Sequence, residues 1–253
     1  VENYFKLSNK ETAEYWQGID HRLFLKYQKT LEKEDLSDYE KWIKENSLTD
    51  KEIEMQENKK FFLGPKISIV VPLYNTNIDF FRELLYSVHC QTYKYWELCL
   101  ADGSEKPLKE IQDMIANDSR IKYKFLNQNK GIAENTNEAI KMATGGYIAF
   151  LDHDDLLEIN ALYEVATTIH KFKSDFIYSD EDKFHFLDEP YFEPFFKPDF
   201  AIDTLRSNNY ICHFTVIKRK LLDKIGYLNS NFNGAQDYDL FFRALEKAKK
   251  ITH

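Results

Sequence analysis

From residue 65 onward, short apolar runs alternate with stretches whose apolar residues recur at helical spacing. The runs at 67–71, 97–101, 123–126, 147–151 and 176–178 predict strands. The intervening stretches predict helices near 78–90, 107–117, 133–143 and 159–171. The helix after the first strand places Phe80, Leu84, Leu85 and Val88 on one face. Strand and helix in strict alternation predict an open α/β sheet, mostly parallel and flanked by helices. It begins after Gly64 and Pro65, so the boundary falls near residue 62.

Residues 1–62 have a different texture. Three capping-box patterns, Ser8 with Glu11, Ser37 with Glu40 and Thr49 with Glu52, predict three helices. Leu23, Tyr27 and Leu31, then Tyr39, Trp42 and Ile43, form their apolar stripes. Such stripes pack on a neighbouring domain or serve as an assembly arm. Beyond Asp180 the alternation breaks into an aromatic, proline-containing stretch at 184–200 that reads as a long functional loop. An apolar run at 211–217 and a closing helix over 236–248 follow. The Lys-rich end carries no helix stop signal, so the domain at 63–253 is expected to be truncated at its C-terminus.

A length of 253 residues, 43% apolar and 15% aromatic, suits one sizeable α/β domain with an accessory segment. The net charge of −8 leaves no footprint for a nucleic-acid partner. Cys90, Cys99 and Cys212 are far apart and lack ligand spacing, so they are expected to be reduced and mostly buried. With no signal peptide and no long apolar span, a cytoplasmic location is expected.

The densest chemistry follows the fourth predicted strand, where Asp152, His153, Asp154 and Asp155 leave its C-terminal edge. Ligands of open α/β sheets bind at that edge. Carboxylates crowded there repel unless a hard cation such as Mg2+ or Mn2+ neutralises them, which points to a metal-diphosphate site; a lone DxD can also simply cap a helix. The first strand runs into Pro72, Leu73, Tyr74 and Asn75, and the second into Asp102, Gly103 and Ser104, at the same edge. Asp102 suits a base N–H or a ribose hydroxyl, or merely closes an Asp-Gly turn. Lys130, beside Gly131, either approaches phosphates or is solvated. Asp237 opens the closing helix as a cap or as a general base.

Taken together, ISIVVPLYNT, LADGS, NKGIAENTNEA, ATGGYIAFLDHDD and GAQDYDL resemble, in order and spacing over about residues 65–245, the family 2 inverting glycosyltransferases of GT-A fold. YSDEDK and FKPDF resemble a bacterial branch that builds surface polysaccharides. The resemblance implies transfer of a sugar, from a UDP- or dTDP-linked donor, to a saccharide or lipid-linked saccharide acceptor. It implies nucleotide contacts at Pro72, Leu73, Tyr74, Asn75, Asp102, Gly103, Asn129, Lys130, Gly131, Asn137, Asp152 and His153. Metal contacts are implied at Asp152 and Asp154, for Mg2+ or Mn2+. Asp237 is implied as the base, with Gln236 where the family more often has glutamate. Asp155, Asp182, Asn209 and Gln236 are expected around the donor and acceptor. A lipid-linked acceptor would place the enzyme peripherally at the inner membrane face, and the N-terminal helices suit association with other enzymes. Neither GxGxxG nor GxxxxGK occurs, which argues against NAD-dependent oxidoreductases and P-loop enzymes; PLYNT stands where a nucleotidyltransferase has a Gly-rich loop. A catalytically silent nucleotide-sugar-binding or scaffold domain is the alternative.

Overall fold

The computed structural model describes residues 37–184 and 191–253, so the expected first helix, with Ser8, Glu11, Leu23, Tyr27 and Leu31, lies outside the described residues. The described helices α1 (Asp38–Asn46) and α2 (Asp50–Asn58) lead into β1 (Ile67–Leu73), α3 (Ile78–His89), β2 (Trp96–Asp102), α4 (Lys109–Ile115) and β3 (Ile121–Phe125). Next come α5 (Ile132–Met142), β4 (Tyr147–Phe150), α6 (Ala161–Phe172), β5 (Phe176–Tyr178), β6 (Glu181–Lys183) and β7 (Phe192–Phe195). The chain ends with α7 (Ile202–Ser207), β8 (Thr215–Lys218), α8 (Arg219–Ile225), a 3-10 turn (Ser230–Phe232), α9 (Gln236–Leu245) and β9 (Ile251–Thr252). These fall into two compact units, the smaller from the described parts of 1–58 and 180–196, the larger from 59–179 and 197–253.

In the smaller unit, Ser37 and Glu40 close a complete capping box, Glu40 N–H donating to Ser37 Oγ at 3.2 Å and Ser37 N–H to Glu40 Oε2 at 2.7 Å. Thr49 and Glu52 exchange the same pair at α2, at 3.3 and 2.8 Å. The stretch expected as a loop at 184–200 contains a strand instead, since β7 pairs antiparallel with β6. Its Phe-Glu-Pro-Phe alternates half-buried and exposed positions, and Pro194 is tolerated because the ribbon has only two strands.

In the larger unit seven strands order as β3-β2-β1-β4-β8-β5-β9. β1 lies parallel to β2 and β4, and β2 parallel to β3, whereas β8 runs antiparallel to β4 and β5. Every residue of β1 and β2 is buried, as expected for strands covered on both faces. On one face α3 packs Phe81, Leu84, Leu85 and Val88 into the core. Phe81 thus replaces Phe80, which is exposed, because 81, 84, 85 and 88 follow the i, i+3, i+4, i+7 stripe. On the other face lie Ala133, Ala139 and Ile140 of α5 with Leu240 and Phe241 of α9.

The topology gathers several chain segments at one edge. The parallel strands β1, β2 and β4 all end there, and the antiparallel β8 begins there, with Thr215 paired to Phe150. Residues before β8 therefore meet residues after β4. Among the described residues, no helix is long and apolar enough to cross a membrane.

Candidate active site

The turns after β1 and β2 are knotted together by buried Asp102. Its Oδ1 accepts from Ser104 N–H at 2.9 Å and its Oδ2 from the Tyr123 hydroxyl at 2.6 Å. Ser104 Oγ in turn accepts from the N–H of Asn75, and Gly103 N–H donates to Leu73 O. Tyr74 is left about half exposed beside this knot. Burial, followed by the Asp102 carboxylate, pushes the Tyr123 phenol up, so it stays a donor. A Cβ at Gly103 would lie 2.5 Å from Asn135 Nδ2, so the Asn135 amide would have to shift to admit one.

Asn129 organises the loop before α5, its Oδ1 accepting from Gly131 N–H at 2.9 Å and from Asn135 Nδ2 at 3.0 Å. Gly131 has φ of 89°, the left-handed region that favours glycine. The Lys130 side chain is exposed. Asn137 is committed elsewhere: it is buried and makes both amide hydrogen bonds to the backbone of Leu228, at 2.9 and 3.0 Å.

After β4, the N–H of Asp155 donates to Asp152 O and folds the acidic run into a tight turn. That turn brings Asp152 and Asp155 together with His213, each offering a ligand atom within 4.8 Å of the others. The imidazole bridges them, Nε2 lying 3.7 Å from Asp152 Oδ2 and Nδ1 3.7 Å from Asp155 Oδ2. Asp154 does not join this group: it is exposed and lies beside His153. Burial first, then Asp154 and Asp237, raise the Asp152 carboxyl above its ordinary value, and His213 opposes them. Donors around one Mg2+ sit at most about 4.2 Å apart. Two carboxylates and an imidazole are a donor set that suits a hard or borderline divalent ion, which would draw them closer together than the 4.8 Å seen here.

Asp237 sits in the first turn of α9, and its Oδ2 accepts from Asn209 Nδ2 at 3.1 Å and from Cys212 Sγ at 3.0 Å. Asp152, His213 and Asp237, with Pro72, Cys212 and Gln236, line a single cleft of about 180 Å³. Gln236 Oε1 caps Gly234 N–H at 2.6 Å. Asp182 belongs to the smaller unit, where burial raises its carboxyl and the Tyr39 hydroxyl donates to it at 2.5 Å. Sequence reasoning did not single out His213 or Cys212 as residues of the cleft. The only signal was a Cys and a His inside the apolar run at 211–217, and nothing local shows that this run leads an antiparallel strand to Asp152.

A profile of the sequence family described as "Glycosyl transferase family 2" matches residues 68–226. The chain belongs to glycosyl transferase family 2. A protein of Sinorhizobium fredii, y4gI, is 40% identical over 75% of the chain, and the O-antigen biosynthesis protein RfbC of Myxococcus xanthus is 36% identical over 75%. The chain spans only 22% and 15% of the lengths of these two relatives. Among solved structures, residues 1–349 of S. aureus TarS in complex with UDP superpose with a TM-score of 0.62 at 24% identity, over 74% of this chain and 57% of that fragment. The mannosyltransferase PcManGT of Pyrobaculum calidifontis, in complex with GDP-Man and Mn2+, gives 0.57 at 14% identity, over 94% of this chain and 65% of its own. The family 2 chain thus has the GT-A fold.

Proposed function

We propose that this chain transfers a sugar, with inversion, from a nucleoside-diphosphate donor to a saccharide acceptor during synthesis of a surface polysaccharide. One observation carries the reading: Asp152 and His213, which with Asp155 form a cation-suited cluster, share a cleft with the hydrogen-bonded carboxylate Asp237 at the C-terminal edge of the sheet. The O-antigen role in the name of RfbC and the UDP bound to TarS support the acceptor and donor classes.

Asp237 acts as the base. It takes the proton of the acceptor hydroxyl while that oxygen bonds to the anomeric carbon and the carbon–oxygen bond to the diphosphate breaks. Attack from the face opposite the leaving group inverts the centre. Asn209 and Cys212 both donate to Asp237 Oδ2, which fixes the carboxylate as an acceptor. Asp152, Asp155 and His213 would hold Mg2+ or Mn2+, which when bound neutralises charge on the diphosphate. The knot around Asp102 and Ser104 shapes the nucleotide end of the site through Tyr74 and Asn75.

Calorimetric titration of UDP and dTDP, with and without Mn2+, tests the reading. One nucleotide is expected to bind in a Mn2+-dependent way, weakened by roughly tenfold or more in Asp155→Ala. Failure of both nucleotides to bind with Mn2+ present overturns it.

A further inference from the structure

Lys197 is 5% exposed. Its Nζ donates to three successive backbone carbonyls, Ile211 at 3.3 Å, Cys212 at 2.7 Å and His213. A buried ammonium is tolerated when its protons are matched, and one tripeptide supplies three acceptors here. The segment that carries Lys197 is itself fastened. Pro198 O accepts from the hydroxyl of buried Tyr178 in β5 at 2.6 Å, and Ala201 N–H donates to the Tyr210 hydroxyl at 2.9 Å.

The clamped tripeptide serves two ends of the cleft at once. The Cys212 thiol donates to Asp237, and the His213 ring lies between Asp152 and Asp155. We propose that Lys197 is a positioning residue: its ammonium clamps residues 211–213, and so holds the His213 imidazole in the cation-binding cluster and Cys212 against Asp237. This inference rests on the cation site of the proposed function. An apolar side chain would fill the same volume, yet it would take the ammonium donor away from the carbonyls of Ile211, Cys212 and His213. The tripeptide would then turn toward water, and His213 would leave Asp152 and Asp155.

The test is a double-mutant cycle on the 253-residue chain, reading Mn2+ binding by electron paramagnetic resonance of the free ion. Lys197→Met and His213→Ala are each expected to weaken Mn2+ binding by roughly tenfold. The double variant is expected to bind no more weakly than His213→Ala, because the lysine acts through that imidazole. General loosening of the fold would instead make the two losses multiply, and that result overturns the proposal. Wild-type affinity in folded Lys197→Met overturns it too. If circular dichroism shows that Lys197→Met does not fold, Lys197→Gln, which keeps a donor, replaces it in the cycle. A partial loss confined to the His213-containing background is then expected, and no loss overturns the inference. A wild-type chain that binds no Mn2+ would remove the cation site and the clamp's purpose together. Binding that ignores Lys197 would remove only the clamp.

Discussion

A carboxylate that accepts two hydrogen bonds on one oxygen is oriented before any substrate arrives, and Asp237 is such a group. Replacing it with Asn keeps the shape of the side chain and removes its ability to take a proton. Asp237→Asn is expected to lower kcat by about 10²–10⁴-fold while Mn2+-dependent nucleotide binding stays within a few-fold of wild type. Steady-state kinetics beside calorimetry separate the two, and an unchanged kcat would remove Asp237 from the role of base. At this scale the sequence was informative where chemistry lies within one segment. The run of carboxylates drew attention to Asp152 and Asp154 as metal contacts with Asp155 beside them, and GAQDYDL to Asp237. It was silent on partners brought from afar: Asn209 and Cys212 lie 28 and 25 residues from Asp237. Asn137 shows the converse, since a residue inside a motif is spent on holding Leu228.

At the scale of elements, β1, β2, β3 and the turn before β4 are joined at the edge away from the cleft by Glu97. Its carboxylate is 1% exposed and accepts from Lys66 at 2.7 Å, Ser68 at 2.6 Å and Thr144 N–H at 2.5 Å, with Lys122 at 2.8 Å. Burial alone would raise its pKa, but the hydrogen bonds from Lys122, Lys66, Ser68 and Thr144 win and hold it well below the usual carboxylate range. Glu97→Gln removes the charge and leaves two lysines facing a neutral amide. A loss of about 3–5 kcal/mol is expected, because one partner of a buried ion network is gone. Urea unfolding measures this, and a loss under 1 kcal/mol would show the network to be dispensable. Glu97 sits within a predicted strand, but its role was not legible. Strand periodicity reports which positions are buried, and the register with Ser68 that supplies its partners is a pairing between strands.

For the molecule as a whole, stability should depend on pH through His89, whose imidazole packs at 5.8 Å against the Trp96 ring, over which Arg120 also lies. Burial lowers its pKa to about 4 from 6.5, and the attraction of Asp118, 3.7 Å away, only partly offsets this. The folded state therefore keeps a neutral ring while the unfolded chain takes up a proton below pH 6.5. The contribution is complete above pH 6.5 and is lost as pH falls toward 4, a difference of about 3 kcal/mol. Chemical denaturation at pH 7 and pH 4 should show wild type losing more stability than His89→Gln by about that amount. Equal losses would mean that the ring is protonated in the fold. The sequence by itself determined the alternation of strand and helix, the two intact capping boxes at Ser37 and Thr49, and the edge of the sheet at which Asp152 emerges. Those follow from local periodicity and from groups three residues apart, which the chain encodes without reference to the rest of the fold. Only the tertiary structure decided that β8 enters antiparallel, that His213 rather than Asp154 completes the carboxylate cluster, and that Lys197 clamps the tripeptide between them. These are contacts between segments many residues apart, and their register is set by burying both faces of one sheet, a condition that no single stretch of sequence carries.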